Sequence, residues 1–190
     1  MSKDVEVFES LKEPMAMGQV FAESGLFPDI KSQAQAVVKV LAGRELGISP
    51  LESMNSFFFV NNKIAMPSKL MGALIKRSKK YDYVVDKLDE TECSITFYEK
   101  NGEAKKLGTS TFTFKDGAKA GLVNKDVWKS YPKNMLFARA LSNGVRWYCP
   151  DVTCGYYTVE EVEDLQTVPL SARITFTDEG VENVETPVSK

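Results

Sequence analysis

The chain has no histidine among its 190 residues. That absence removes imidazole acid–base catalysis, Ser-His and Cys-His nucleophilic pairs and histidine metal ligands. Its glycines form neither GxxxxGK[ST] nor GxGxxG, so no recognisable phosphate-cradling loop is present. Cysteine is scarce. Cys93, Cys149 and Cys154 are odd in number and lack a CxxC spacing, which argues against a disulfide framework or a zinc site and for buried, inert thiols. No apolar run reaches the ~18 residues of a membrane span. The opening MSKDVEVFESLKEP has acids where a secretory signal needs a basic start and an apolar middle, so a cytoplasmic protein without membrane contact is expected.

What is present is an ordinary globular composition, 43% hydrophobic and 11% aromatic, enough to bury one core. The net charge of -2 conceals an asymmetry. Residues 1–159 carry 22 bases and 18 acids, whereas residues 160–190 carry two bases and eight acids. Between Lys63 and Arg146 the excess is larger, with seventeen bases against nine acids. A basic body with an acidic tail suits polyanion binding, and a merely solvated surface gives the same imbalance.

The pattern divides the chain into a polar N-terminus over 1–16, flexible or loosely helical, a domain over 17–165, and an acidic tail over 166–190. In SQAQAVVKVLAGRELG, Ala34, Val37, Val38 and Leu41 recur at helical spacing, and Gly47 follows as a stop. Ser49-Pro50-Leu51-Glu52 reads as a capping box opening a short helix. Asn61-Asn62 predicts a tight hairpin, after which Ser68 caps a helix burying Leu70, Leu74 and Ile75. Strands follow in YDYVVDKL, TECSITFYEK and EAKKLGTSTFTF, the last two joined at Asn101-Gly102. Ile95, Phe97, Phe112 and Phe114 are assigned to the buried face of this sheet. Short helices are expected at DGAKAGL and NKDVWKSY. Pro132 starts a longer one ending near Tyr148, and the box Thr158-Val-Glu-Glu161 opens a last one. ARITFT has the composition of a late strand.

Three groups of residues could carry function. On the helix from Pro132, Arg139, Asn143 and Arg146 fall within about 60° of one another, and the two guanidiniums lie roughly 10 Å apart along the axis. They fit phosphates of one strand, and equally salt bridges to acids elsewhere. The cluster Lys76, Arg77, Lys79 and Lys80 is followed by Tyr81 and Tyr83, cations beside flat rings, as single-stranded nucleic acid requires; a cationic helix end favoured by the macrodipole looks the same. Lys125, Lys129 and Lys133 form a third basic run around Trp128 and Tyr131. Asp82, Asp86, Asp89, Glu90 and Glu92 offer a competing possibility, a divalent cation serving strand cleavage, although the DxDxDG calcium loop is absent.

Two blocks in order, AGRELGISPLESMNSFFFVNNKIAMPSKLMGALIKRS and WKSYPKNMLFARALSNGVRWYCPDVTCGYYTVEEV, together resemble RecT-type phage recombinases. The resemblance spans roughly residues 20 to 165. The first matches a helix ending in a Leu-Gly-hydrophobic-x-Pro corner, then a hairpin and a helix. The second is similar to W-x-x-[YF]-P-x-x-M-L-x-x-[RK]-A followed by G-x-Y-[TS]-x-E-E. The resemblance implies an α+β fold, a small antiparallel sheet with hairpins packed by several helices. It also implies a single-strand annealing protein of the RecT and lambda-Beta group, working without ATP or another cofactor in phage homologous recombination. Its partners would be single-stranded DNA, the annealed duplex intermediate and further copies of the chain in a ring or helical filament. An exonuclease or a host single-strand-binding protein would be a candidate protein partner. By position, Arg139 and Arg146 would face a basic groove, Lys133 and Lys129 would stand near its mouth, and Trp128 with Tyr131 would anchor the helix or line the groove. Lys76, Arg77, Lys79 and Lys80 would extend it. Many members continue into a C-terminal domain for partners, where this chain has a short acidic tail. The alternative is therefore a non-enzymatic phage inhibitor or adaptor on the same scaffold, binding a host protein.

Overall fold

Asn61 and Asn62 both take positive φ, 52° and 59°, the backbone that a two-residue hairpin of right-handed twist demands. They join β1 (Phe58–Val60) to β2 (Lys63–Met66) in register Phe58↔Ala65. The structure is a computed structural model that describes residues 3–164. Before the hairpin come α1 (Lys3–Glu23), α2 (Gln33–Glu45) and α3 (Pro50–Ser56); after it comes α4 (Ser68–Arg77). Helix α1 takes in most of the N-terminal segment 1–16. Ser49 caps α3 by accepting the Glu52 N–H at 3.3 Å, with Pro50 in the first turn. At α4 the N-cap is Pro67, not Ser68, and no side chain caps it.

Strands β3 (Tyr81–Leu88), β4 (Glu92–Glu99) and β5 (Lys105–Thr113) form an antiparallel meander. Then follow α5 (Phe114–Lys119), α6 (Asp126–Ser130) and α7 (Pro132–Tyr148), with β6 (Tyr157–Thr158) and α8 (Val159–Asp164) closing the described chain. The fold is thus mixed α+β, with eight α-helices and two three-stranded sheets among the described residues. Instead of one antiparallel sheet there are two, and the β1-β2-β6 sheet is mixed because β6 runs parallel to β2. A strand of two residues carries too short an alternation to be seen in sequence. The acidic segment 166–190, including the strand expected at ARITFT, lies outside the described residues.

The main core gathers Leu70, Leu74 and Ile75 of α4, Ile95 and Phe97 of β4, and Leu136, Leu141 and Val145 of α7. Each such side chain contributes about 1.5–3 kcal/mol on burial. Helix α7 lies so close to the meander that a Cβ on Gly144 would come within 2.0 Å of the Phe97 ring. A smaller cluster joins Ala36, Val40 and Met54 to Met17 and Phe21.

Several expectations need correction. The inward face of α2 is Ala36, Lys39, Val40 and Gly43, while Ala34 and Val38 are exposed. The phase shift traces to Lys39, a fully buried lysine whose ammonium bonds Asp29 at 2.5 Å and the Met54 carbonyl at 3.2 Å. Phe114 is not an inward strand residue. Thr113 and Asp116 form a capping box there, so Phe114 starts a helix and is exposed. Thr96, which alternates with the inward Ile95 and Phe97, is buried as well, with hydroxyl contacts to Asp86 at 2.6 Å and Thr109 at 2.8 Å. Cys93 and Cys149 are buried, which pushes their thiols up to about 11 and about 12, but Cys154 is exposed. Among the described residues no helix is long and apolar enough to cross a membrane.

Candidate nucleic-acid interface

Helix α7 is buried over most of its circumference. Leu136, Ala138, Ala140, Leu141, Ser142, Gly144 and Val145 leave one less buried strip, and Arg139, Asn143 and Arg146 occupy it. Their shared face is therefore as the helical spacing implies. What meets that face is the end of the described chain: β6 and α8 pack against it.

Arg146 donates twice to Glu161, Nε to Oε1 at 2.8 Å and NH2 to Oε2 at 2.6 Å, and its guanidinium lies 4.4 Å from the centre of the Tyr157 ring. Such a fork-to-fork pair is the strong form of charge-assisted hydrogen bond. Glu161 is also the third residue of the Thr158 capping box. Its Oε2 accepts the Thr158 N–H at 2.7 Å, and its own N–H reaches Thr158 Oγ1 at 3.2 Å. Burial alone would push the Glu161 carboxyl up, but Arg146 and the Thr158 N–H outweigh it and hold it below the ordinary carboxylate value. Donating to Glu161 raises Arg146 in turn, against the opposing effect of burial. Arg139 donates to the Glu160 carbonyl at 3.3 Å.

At the N-terminal end of α7 the chain turns at Tyr131 and enters the helix through Pro132. Trp128 is 3% exposed, packed 6.2 Å from Phe112 and against Gly117, where a Cβ would come within 3.0 Å of the indole. It anchors the corner. Tyr131 by contrast is 62% exposed, and Lys129 and Lys133 on either side of it are exposed too. Lys129 stands 3.5 Å from Asp126, a pair so solvated that it restrains the ammonium little. Lys133 has no ion-pair partner among the described residues.

The cluster after α4 is arranged differently. Lys76 pairs with Asp82, donates to the Tyr83 carbonyl at 2.7 Å and sits 4.5 Å from the Tyr83 ring centre. Arg77 is forked onto Glu52 at 2.8 and 3.2 Å. Lys80 meets Asp151 at 3.0 Å and lies over the Tyr81 ring. Lys79 is exposed without a partner among the described residues. Asp151 follows the C-terminus of α7, so Lys80 stands near the end of that helix opposite to Lys133; the helix of 17 residues is about 25 Å long.

The carboxylates of 82–92 do not converge. Asp82 faces Lys76, Asp86 takes the Thr96 hydroxyl, Asp89 caps its own turn through Thr91, and Glu92 faces Lys87. Among the described residues no three acids, cysteines or histidines come together as a metal site would require.

Tyr157, Glu160 and Glu161 all touch the arginine face; the sequence marked them as part of the G-x-Y-[TS]-x-E-E block, and Glu161 as part of a capping box, but not as partners of the arginines. A cavity of about 220 Å³ opens beside the corner, between Lys125, Trp128, Met135, Arg139, Val159 and Glu160. A second, of about 350 Å³, lies by Arg77, Ser78 and Asp151 and shares none of those residues. Compared with models of known protein families and with curated proteins, the chain matches none.

Proposed function

We propose that this chain binds single-stranded DNA and anneals complementary strands without ATP, as a RecT-type annealing protein of phage homologous recombination that assembles on DNA as a homo-oligomer. The observation that carries the reading is the corner at Tyr131: an exposed ring between two exposed lysines, at the start of the helix whose sequence resembles the closing block of that family. Cations beside a solvent-facing ring neutralise phosphates and stack a base while leaving its pairing edge open. Annealing requires no bond chemistry, so it is compatible with a chain lacking histidine and phosphate loops. Lys79 and Lys80, near the far end of α7, would be the next cations a strand following that helix meets, about 25 Å or about seven nucleotides at about 3.4 Å each. The test is binding of a fluorescent oligo-dT across a salt series, followed by annealing of complementary strands with and without the protein. No binding at about 50 mM salt overturns the reading.

A second reading rests on a different observation. The arginine face is met by Glu160 and Glu161, the first acids of the acidic region, so the guanidinium fork of Arg146 is engaged within the chain. On this reading the scaffold is a non-enzymatic phage inhibitor or adaptor, and residues 166–190 contact a host protein. A pull-down from host lysate that depends on residues 166–190, together with absent DNA binding, distinguishes it from the first.

A further inference from the structure

The cavity at the α6–α7 corner is lined in part by Val159, the first residue of α8, and its apolar walls are completed by Val127, Trp128 and Met135. Val127 is 53% exposed, so this apolar surface opens to water and gains by being covered. Arg139 at its edge already donates to the Glu160 carbonyl, which leaves apolar contact as what the cavity offers an incoming group. The volume, about 220 Å³, lies below the roughly 300–1,000 Å³ of sites for drug-sized ligands and suits aliphatic side chains of a peptide. Beside it stand Lys129 and Lys133. Elsewhere Lys76, Arg77 and Lys80 each have a carboxylate, from Asp82, Glu52 and Asp151. Lys133 has none among the described residues, and Lys129 has only that of the almost wholly exposed Asp126.

The chain supplies a matching segment next to this corner. After Asp164, the end of α8, the sequence runs LQTVPL over 165–170, and from Thr177 to Glu185 it holds four acids and no base, all outside the described residues. Val159 and Asp164 lie about 8 Å apart along α8, and about three extended residues at about 3.3 Å each cover that distance in return. Val168 and Leu170 are therefore within reach of the cavity. A further stretch of up to about 26 Å brings Asp178 to the lysines. A segment tethered this closely meets the corner at an effective concentration on the order of mM, far above that of a free partner. We infer that residues 165–190 dock on the α6–α7 corner of their own chain, with Val168 and Leu170 in the cavity and the acids of 178–185 against Lys129 and Lys133. The docked acids occupy the ammoniums that a phosphate needs. On the single-stranded DNA reading above, on which this consequence alone rests, the segment and a DNA strand exclude one another.

The test is carbodiimide coupling of the full chain, which joins an ammonium to a carboxylate where the two touch, on an equal mixture of isotope-labelled and unlabelled protein. The expected products are peptides linking Lys129 or Lys133 to Asp178, Glu179, Glu182 or Glu185, with both halves carrying the same isotope. In the double variant Val168→Ser with Leu170→Ser, which keeps every charge in place, their yield falls about fivefold. Absence of these links, halves of different isotope as docking on a second copy would give, or an unchanged yield in the double variant each overturns the docking. Oligo-dT is titrated into both proteins by anisotropy. The double variant should bind about fivefold more tightly, because releasing the segment raises the fraction of chains competent to bind. Equal affinities overturn the exclusion, since long-range repulsion by the acids is the same in both proteins. If neither protein binds oligo-dT, the DNA reading fails and the cross-links alone decide the docking.

Discussion

Arg146 of α7 and Glu161 of α8 are joined fork to fork by two hydrogen bonds, of 2.8 and 2.6 Å, across fifteen residues of sequence. Because the same carboxylate closes the Thr158 capping box, one side chain fixes both the start of α8 and its docking on α7. Arg146→Ala leaves Glu161 mostly buried without its cation, and the expected cost is about 2–3 kcal/mol, or about 5–10 °C in melting temperature. Glu161→Gln keeps part of the cap and costs less. Urea denaturation of the two single variants and the double variant gives a coupling energy, and a value above about 1 kcal/mol is expected for the pair.

The same pair sets an acid limit. The Glu161 carboxyl is depressed in the folded chain relative to its unfolded value near 4.3. A depressed carboxyl contributes stability that is present above the unfolded value and lost as pH falls through the lower folded value. Melting temperature should therefore fall as pH drops below about 4.3, and Glu161→Gln should flatten that part of the profile. The difference between the two proteins should be largest near neutrality and should shrink on acidification.

At Tyr131 the prediction concerns DNA. Lys133→Ala and Lys129→Ala should each leave stability within about 0.5 kcal/mol, since both side chains are solvated. Each should reduce the slope of log affinity against log salt by about one on an oligonucleotide that contacts both. Tyr131→Ala should weaken binding by about 1–3 kcal/mol while leaving the salt slope unchanged, because a ring stacks and a lysine neutralises.

Packing between α7 and the meander gives an independent check on the fold. Gly144→Ala adds a methyl that would sit 2.0 Å from Phe97, a fully buried ring on a central strand with little room to move. The helix-propensity gain of about 1 kcal/mol should be outweighed, for a net loss of about 1–3 kcal/mol in chemical denaturation.

Local chemistry was the legible part. Asn61-Asn62, Ser49-Pro50, Pro132 and Thr158-Glu161 act over two to four residues, and each appears in the structure as the turn or helix start that its chemistry dictates. Long-range pairing was not legible. Nothing near Tyr157 announces that it will lie beside Ala65 in a parallel ladder, and nothing near Arg146 announces Glu161. The burial of Lys39 was not legible either, since only the fold supplies Asp29 and the Met54 carbonyl that allow a lysine to be buried. The arginine face was read correctly as a shared face. Its occupant, β6 and α8, became visible only when the chain folded back on itself.

The central claim is that the cationic corner around Tyr131 binds single-stranded DNA through its phosphates. The most direct measurement is the anisotropy of an oligo-dT of about 30 nucleotides titrated with the full chain between about 50 and 200 mM salt. A log–log slope steeper than about -2, lessened by about one in Lys133→Ala, is the predicted result. Absence of binding at about 50 mM salt, or a slope that Lys133→Ala and Lys129→Ala leave unchanged, contradicts it.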